Sequence, residues 1–370
     1  MAGSDVTKSP SRSRVRRTLS LGVAFPLVLY LASTLGYVSA YSRVTFAKSA
    51  FLLQYRGGIY RYRILGTDAV LAVNYLVQHL GFNLATIPID SLPFSSAYDL
   101  FTALVVLNGI AFVGFTVLLY VVTARDHRWV VSYLVLVALA IASAYVVTPY
   151  DDLSYLLLAA LVLSGLADRP WSWPACLVLA AVGTADRESL FLGVAALAAI
   201  LLSRSGAPVG IPDYEHRSAG RHDRLVASTL AAIVGSVGTY FAVRILYADP
   251  TDHASFWQTL AFKANLTPSS LIAVIMVLLG GAVLVAELPR FGDRTGTLAA
   301  RYHRATLYFW ILSVPYLVVT VIGGSWFEAP RLLLPLGICQ YLLRWSADTP
   351  VSGGAAEGSG PPSIPSGITP

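Results

Sequence analysis

Apolar runs recur along this chain from residue 20 to residue 344, separated by short polar segments that hold most of its arginines. They fall at 20–40, 98–123, 129–147, 152–167, 171–184, 189–203, 225–246, 270–287, 305–322 and 331–344. A bilayer gives the backbone no hydrogen-bond partners, so a crossing segment must be a helix of about 20 residues or part of a closed barrel. The alternating ten-residue pattern of a membrane barrel is absent. The runs predict an all-α fold, a polytopic transmembrane helix bundle of about ten spans. Two of them, 171–184 and 331–344, are short for a full crossing and are expected to be tilted, broken or half-buried.

Charge supports the same reading. Only 12% of the residues are charged and 56% are hydrophobic, whereas a soluble domain carries about 25% charged residues. The net charge of +6 is dispersed over short loops. It therefore reads as a topology signal, not as a nucleic-acid surface, and no nucleic-acid partner is expected. With the N-terminus in the cytoplasm, 17 of the 26 basic residues fall on the inner side, which favours cytoplasmic N- and C-termini. Residues 1–19 are then a basic cytoplasmic tail ahead of an uncleaved first anchor. Residues 20–345 form the membrane domain. Residues 346–370, rich in Gly, Pro and Ser, are expected to be a disordered cytoplasmic tail. Cys176 and Cys339 lie in apolar runs and read as core packing, and no metal site is assigned.

The outer loop 41–97 is too long for a simple turn, and long loops of this kind are usually functional. It holds two amphipathic pieces expected to lie at the interface. One is Val44–Gln54, with Val44, Ala47, Phe51 and Leu52 near helical spacing. The other is Ala69–Leu80, with Val70, Val73, Leu76, Val77 and Leu80 on one face. Ser255–Leu266 is a third such candidate, and Asn265-Leu266-Thr267 matches a glycosylation sequon.

Four polar clusters between the runs all emerge on the non-cytoplasmic side in this threading. The first, Tyr55-Arg56-Gly57-Gly58-Ile59-Tyr60-Arg61-Tyr62-Arg63, alternates rings with guanidinium forks suited to phosphate oxygens. In Pro149-Tyr150-Asp151-Asp152, two adjacent carboxylates repel. One of them is then a raised-pKa base, or both bind a cation, or each simply caps a helix. Asp186-Arg187-Glu188 follows an apolar run with no polar spacer, so its charges face a cavity or pair with one another. In the fourth, Trp326-Phe327-Glu328-Ala329-Pro330-Arg331, Glu328 and Arg331 either pair with each other or join the site. Charged groups at a bilayer boundary are costly, and their convergence on one face points to a polar site.

With Arg61-Tyr62-Arg63-Ile64-Leu65, Tyr150-Asp151-Asp152, Asp186-Arg187-Glu188-Ser189 and Glu328-Ala329-Pro330-Arg331-Leu332-Leu333-Leu334-Pro335, the layout resembles bacterial members of the GT-C superfamily of integral-membrane glycosyltransferases. The resemblance spans residues 20–345. It implies transfer of a hexosyl or pentosyl group from a polyprenyl- or dolichyl-phosphate sugar on the extracytoplasmic face of the cell (inner) membrane. The implied partners are the lipid-linked sugar donor, membrane lipid and a glycan, lipid or protein acceptor; a divalent cation is an open cofactor. Family members carry an acidic motif early in the first outer loop, but residues 41–67 here contain no carboxylate. The base is therefore read onto Asp151 or Asp152 first and Asp68 second. Substrate contacts are read onto Arg61, Tyr62, Arg63, Arg187, Glu188, Glu328 and Arg331, with the arginines neutralising the departing lipid phosphate. Two other classes share these features: a transporter or flippase for a lipid-linked or anionic substrate, and a non-catalytic subunit of a glycan-assembly complex.

Overall fold

The computed structural model describes residues 12–36, 43, 45–56, 58–84, 99–123, 127–143, 147–167, 169–204, 212–248, 296–323 and 329–348. The described residues are helices and turns, with no strand among them. The helices are α1 (Arg12–Arg17), α2 (Phe25–Gly36), α3 (Lys48–Tyr55), α4 (Ile64–His79), α5 (Phe101–Thr123), α6 (His127–Ser143), α7 (Asp151–Leu166), α8 (Ser172–Asp186), α9 (Phe191–Arg204), α10 (Pro212–Leu246), α11 (Gly296–Gly323) and α12 (Ala329–Asp348). A π-helical stretch, Thr18–Ala24, joins α1 to α2.

Among the described residues, three stretches are long and apolar enough to cross a bilayer: Val15–Gly36, Phe101–Val122 and His222–Leu246. Such helices make the chain an integral membrane protein. The other expected runs coincide with helices, except 270–287, which lies outside the described residues, as do Ser255–Leu266 and the sequon. The expected short run 331–344 belongs to the 20-residue helix α12, which continues past Ser346 to Asp348. The rest of the expected tail lies outside the described residues. Helix α10 has 35 residues, roughly 52 Å at 1.5 Å per residue, so it outruns a hydrocarbon core of about 30 Å.

Helix α5 is central, and half of its apolar window is buried. Tyr30 of α2 stacks on its Phe112 at 5.4 Å and donates its hydroxyl to the Val105 carbonyl. A π-helical turn loosens the backbone ladder. Hydroxyls from neighbouring helices serve carbonyls there: Thr116 donates to Gly22 and Tyr133 to Leu21. Helices α8 and α10 pack closely because Gly235 has no side chain. A Cβ at that position would lie 2.5 Å from the Leu177 carbonyl oxygen. Small residues at such seams let membrane helices approach backbone to backbone. Cys176 and Cys339 are free and fully buried in the packed interior.

The segment between α2 and α5 is closed at its base. The Lys48 N–H donates to Asp99 Oδ1 at 2.8 Å, Leu100 N–H donates to the Phe46 carbonyl, and Phe46 meets Phe101 edge to face. Both amphipathic pieces contain helices, and the buried faces overlap the expected ones in part. In α3 the buried residues are Phe51 and Tyr55, while Val44 lies outside the described residues. In α4 they are Gly66, Thr67, Val70, Asn74 and Val77, whereas Leu76 and Leu80 are exposed. Val70 and Val77 lie on the expected stripe, and the buried face is rotated from it toward Gly66, Thr67 and Asn74, because the helix starts at Ile64 and seats on its smallest residues. Gly66 meets Pro149 and Asp186 at a distance no larger residue permits. Gly81, at φ +66°, ends α4 with the Phe82 N–H bonded back to the Val77 carbonyl, a left-handed cap that glycine adopts without strain.

Candidate functional site

The site is built from chain breaks. The turn Gly58–Tyr62 leads through Arg63 into α4. Pro149 and Tyr150 lead into α7, whose first turn begins with Asp151 and Asp152. Between α8 and α9, Arg187 is extended (φ −160°, ψ 141°), and a single 3₁₀ turn, Glu188–Leu190, follows. That break is tight, since a Cβ on Gly183 would lie 2.4 Å from Leu190. The end of α10 supplies Tyr240 and Arg244.

These four places meet. Arg63 Nε donates to Glu188 Oε2 at 3.0 Å. Glu188 Oε1 lies 3.7 Å from an Arg244 nitrogen. Arg187 donates to Asp151 Oδ1, and the Thr148 hydroxyl donates to Asp151 Oδ2. Asn108 of α5 holds the Thr148 carbonyl at 2.7 Å. Aromatic rings fill the gaps between the charges. Tyr150 lies 4.6 Å from the Arg63 guanidinium and 5.5 Å from that of Arg187. Tyr60 stacks beside Tyr150 and lies 5.3 Å from Arg63. Arg244 sits between the Tyr62 and Tyr240 rings at 4.4 and 4.3 Å, and Arg61 donates to the Tyr62 hydroxyl. The result is a chain of alternating rings and charges from Arg61 through Tyr62, Arg244, Glu188, Arg63, Tyr150 and Arg187 to Asp151. Guanidinium over an aromatic face is attractive, the more so away from water.

Burial sets the electrostatics. Asp151, Asp152 and Arg187 are each 5–6% exposed, and Asp186 is at 0%. Burial alone would raise the Glu188 carboxyl; Arg63, a backbone hydrogen bond and Arg244 together hold it below its ordinary value. Burial likewise works against the charge on Arg63, but Glu188, Tyr150, Tyr60 and Asp151 together more than restore it, so the guanidinium is a fixed cation.

The expected site residues divide as follows. Arg61, Tyr62, Arg63, Arg187, Glu188 and Asp151 belong to one connected cluster. Asp152 is buried beside Asp151 at the head of α7. Neither is the N-cap, a position taken by Tyr150 without a side-chain cap bond. Asp68 is exposed on α4, on the far side of the helix from its buried face. Arg331 lies in the first turn of α12, and Glu328, with Trp326 and Phe327, lies outside the described residues. Both Asp151 oxygens accept hydrogen bonds, one from Arg187 and one from Thr148. Sequence reasoning placed Tyr60, Tyr150 and Asp186 in the clusters without giving them a role, and it left out Arg244 and Tyr240. Arg244 carried a signal as one of the basic residues placed against the inside bias. Asp186 carried one as part of a charged triplet in which Arg187 and Glu188 drew the attention.

Among the described residues no three His, Cys, Asp or Glu side chains gather as metal ligands. No protein-family model, no curated protein and no solved structure matches the chain at a significant level.

Proposed function

We propose that this protein is a polytopic membrane glycosyltransferase of about ten spans, with cytoplasmic termini, that moves a sugar from a polyprenyl-phosphate donor to an acceptor on the extracytoplasmic face. The observation that carries the reading is the meeting of Arg63, Arg187 and Arg244 with Asp151, Glu188 and the Tyr60, Tyr62 and Tyr150 rings. Guanidinium forks suit phosphate oxygens, and tyrosine faces suit sugar rings. Membrane-length helices beside such a cluster suit an isoprenoid tail. In this reading Arg61, Arg63 and Arg244 form the cationic wall that receives the lipid phosphate. Asp151 holds the buried Arg187 in place, and Asp151 or Asp152 first, Asp68 second, takes the proton of the acceptor hydroxyl as its oxygen displaces the polyprenyl phosphate from the anomeric carbon.

The mutual pairing of Arg187 with Asp151 and of Arg63 with Glu188 also suits a clamp that fixes helix ends, which is the role it has in a non-catalytic subunit. Purified protein in proteoliposomes, supplied with a panel of polyprenyl-phosphate sugars, separates the readings. The expected result is free polyprenyl phosphate and a glycosylated product, lost in Arg63→Ala. Movement of intact donor across the bilayer without cleavage would assign a transporter instead. Orientation is tested with Asp68→Cys and Asp223→Cys, both at exposed positions. Membrane-impermeant maleimide is expected to reach the first only from outside and the second only from the cytoplasm.

A further inference from the structure

Asp186 is the last residue of α8, beyond the apolar run 171–184, and it is fully buried. Among the described residues, neither of its carboxylate oxygens has a hydrogen-bond donor. The hydroxyls buried in the same break, Thr184 Oγ1 and Ser189 Oγ, have no hydrogen-bond partner either, so they do not serve it. Its neighbour from α4 is bare backbone: the Cβ position of Gly66 lies 2.9 Å from Asp186 Oδ1 and 2.7 Å from the Pro149 carbonyl oxygen. Two acceptor oxygens are thus pressed against one glycine. An ionised carboxylate in such a place has lost its water and gained no donor, a state that proteins avoid by taking up a proton.

The charges around it do not remove the problem. Arg187, next in sequence, gives its guanidinium to Asp151 of α7, and Arg63, ahead of α4, gives its own to Glu188. Asp151 and Glu188 then face Asp186 as negative groups from α7 and from the 3₁₀ turn. Asp68, the other charge on the first turns of α4, is exposed. Burial raises the acid strongly, Arg187 opposes this, Asp151 adds to it, and the balance stays well above the ordinary carboxylate range.

We propose that Asp186 is a proton-binding site: its carboxyl is protonated at neutral pH, while Asp151 and Glu188 stay ionised. A neutral Asp186 leaves Arg61, Arg63, Arg187 and Arg244 facing Asp151, Asp152 and Glu188, an excess of one positive charge among the described residues of the cluster. That excess matches a singly charged phosphodiester. This last step rests on the transferase reading; the proton site does not.

The test uses the full chain in detergent micelles and needs neither donor nor acceptor. Dicyclohexylcarbodiimide reacts with protonated carboxyls in apolar surroundings. Peptide mapping is expected to find the adduct on Asp186 at pH 7, with labelling that declines as pH rises and falls to background in Asp186→Asn. Labelling on Asp151 or Asp152 instead, or protection of Asp186 by sodium or magnesium chloride at constant pH, overturns the proposal. Thermal unfolding gives a second readout that does not depend on reagent access. A raised folded pKa means that the wild-type chain loses stability as pH climbs from the ordinary carboxylate value through the folded one. Asp186→Asn, which copies the protonated shape, is expected to melt higher than wild type at pH 7 and to lack that decline. An Asn variant that melts at or below the wild-type temperature at pH 7 overturns the proposal whatever the labelling shows. Absence of sugar transfer bears on the proposed function alone.

Discussion

Gly66→Ala tests whether α4 is seated on the charged cluster in the way described. The new methyl would sit 2.7 Å from the Pro149 carbonyl oxygen, 2.9 Å from Asp186 Oδ1 and 3.1 Å from the Pro149 carbonyl carbon. The first and third belong to backbone leading into α7, and the second to a buried side chain at the end of α8. None yields unless a helix end moves. Overpacking of this kind costs about 1–3 kcal/mol. Alanine also favours the helix over glycine by about 0.5–1 kcal/mol, so the bare comparison with wild type mixes two effects. Gly238→Ala in α10 separates them, because a Cβ there meets nothing within 4 Å. That variant is expected to gain about 0.5–1 kcal/mol from propensity alone. Gly66→Ala should therefore be less stable than Gly238→Ala by the overpacking cost itself, about 1–3 kcal/mol. Unfolding in mixed dodecyl sulfate and mild-detergent micelles, followed by circular dichroism, reads the difference. Equal stability of the two alanine variants would refute the close seating of α4 on Pro149 and Asp186.

The Asp151–Arg187 pair, with side chains 8% and 6% exposed, should cost about 3–5 kcal/mol when either partner is removed alone; a double-mutant cycle with Asp151→Asn and Arg187→Met should show strong coupling, and additive losses would count against the pair. Glu188 has an ordinary value of 4.5 and is held below it. Its stabilising share is therefore complete above pH 4.5 and is lost as pH falls through the lower folded value. Glu188→Gln should flatten that acid limb of a pH–melting curve, and an unchanged limb would remove Arg63 and Arg244 as its cause. Arg244→Ala should cost no more than about 1 kcal/mol, because that side chain is 37% exposed and partly exposed ion pairs are weak. Cys176 and Cys339, both buried, should resist maleimide until the chain unfolds, as mass spectrometry of intact protein would show.

Much of the helical layout was legible because membrane solvation is a local demand. A run such as 101–122 must hide its own backbone, and its apolar length says so without reference to the rest of the chain. The charged clusters were legible as clusters for a related reason: a guanidinium or carboxylate beside such a run is costly wherever it ends up. Partner choice is a different kind of information. Arg63 reaches Glu188 across 125 positions, and Arg187 reaches Asp151 across 36. Only the packed helix ends decide that Asp151 is compensated while its near neighbour Asp186 is not. The buried face of α4 shows the same division. Its helical character and part of its inward stripe, Val70 and Val77, follow from composition, but the rotation of that face toward Gly66 was settled by Gly66 fitting against Pro149, a steric match between segments that share no local pattern. Sequence alone determined that the chain is helical and lives in a bilayer, since each residue's transfer between water and lipid is its own affair. Tertiary structure determined which charges neutralise one another, since an ion pair depends on where two distant backbones place their side chains.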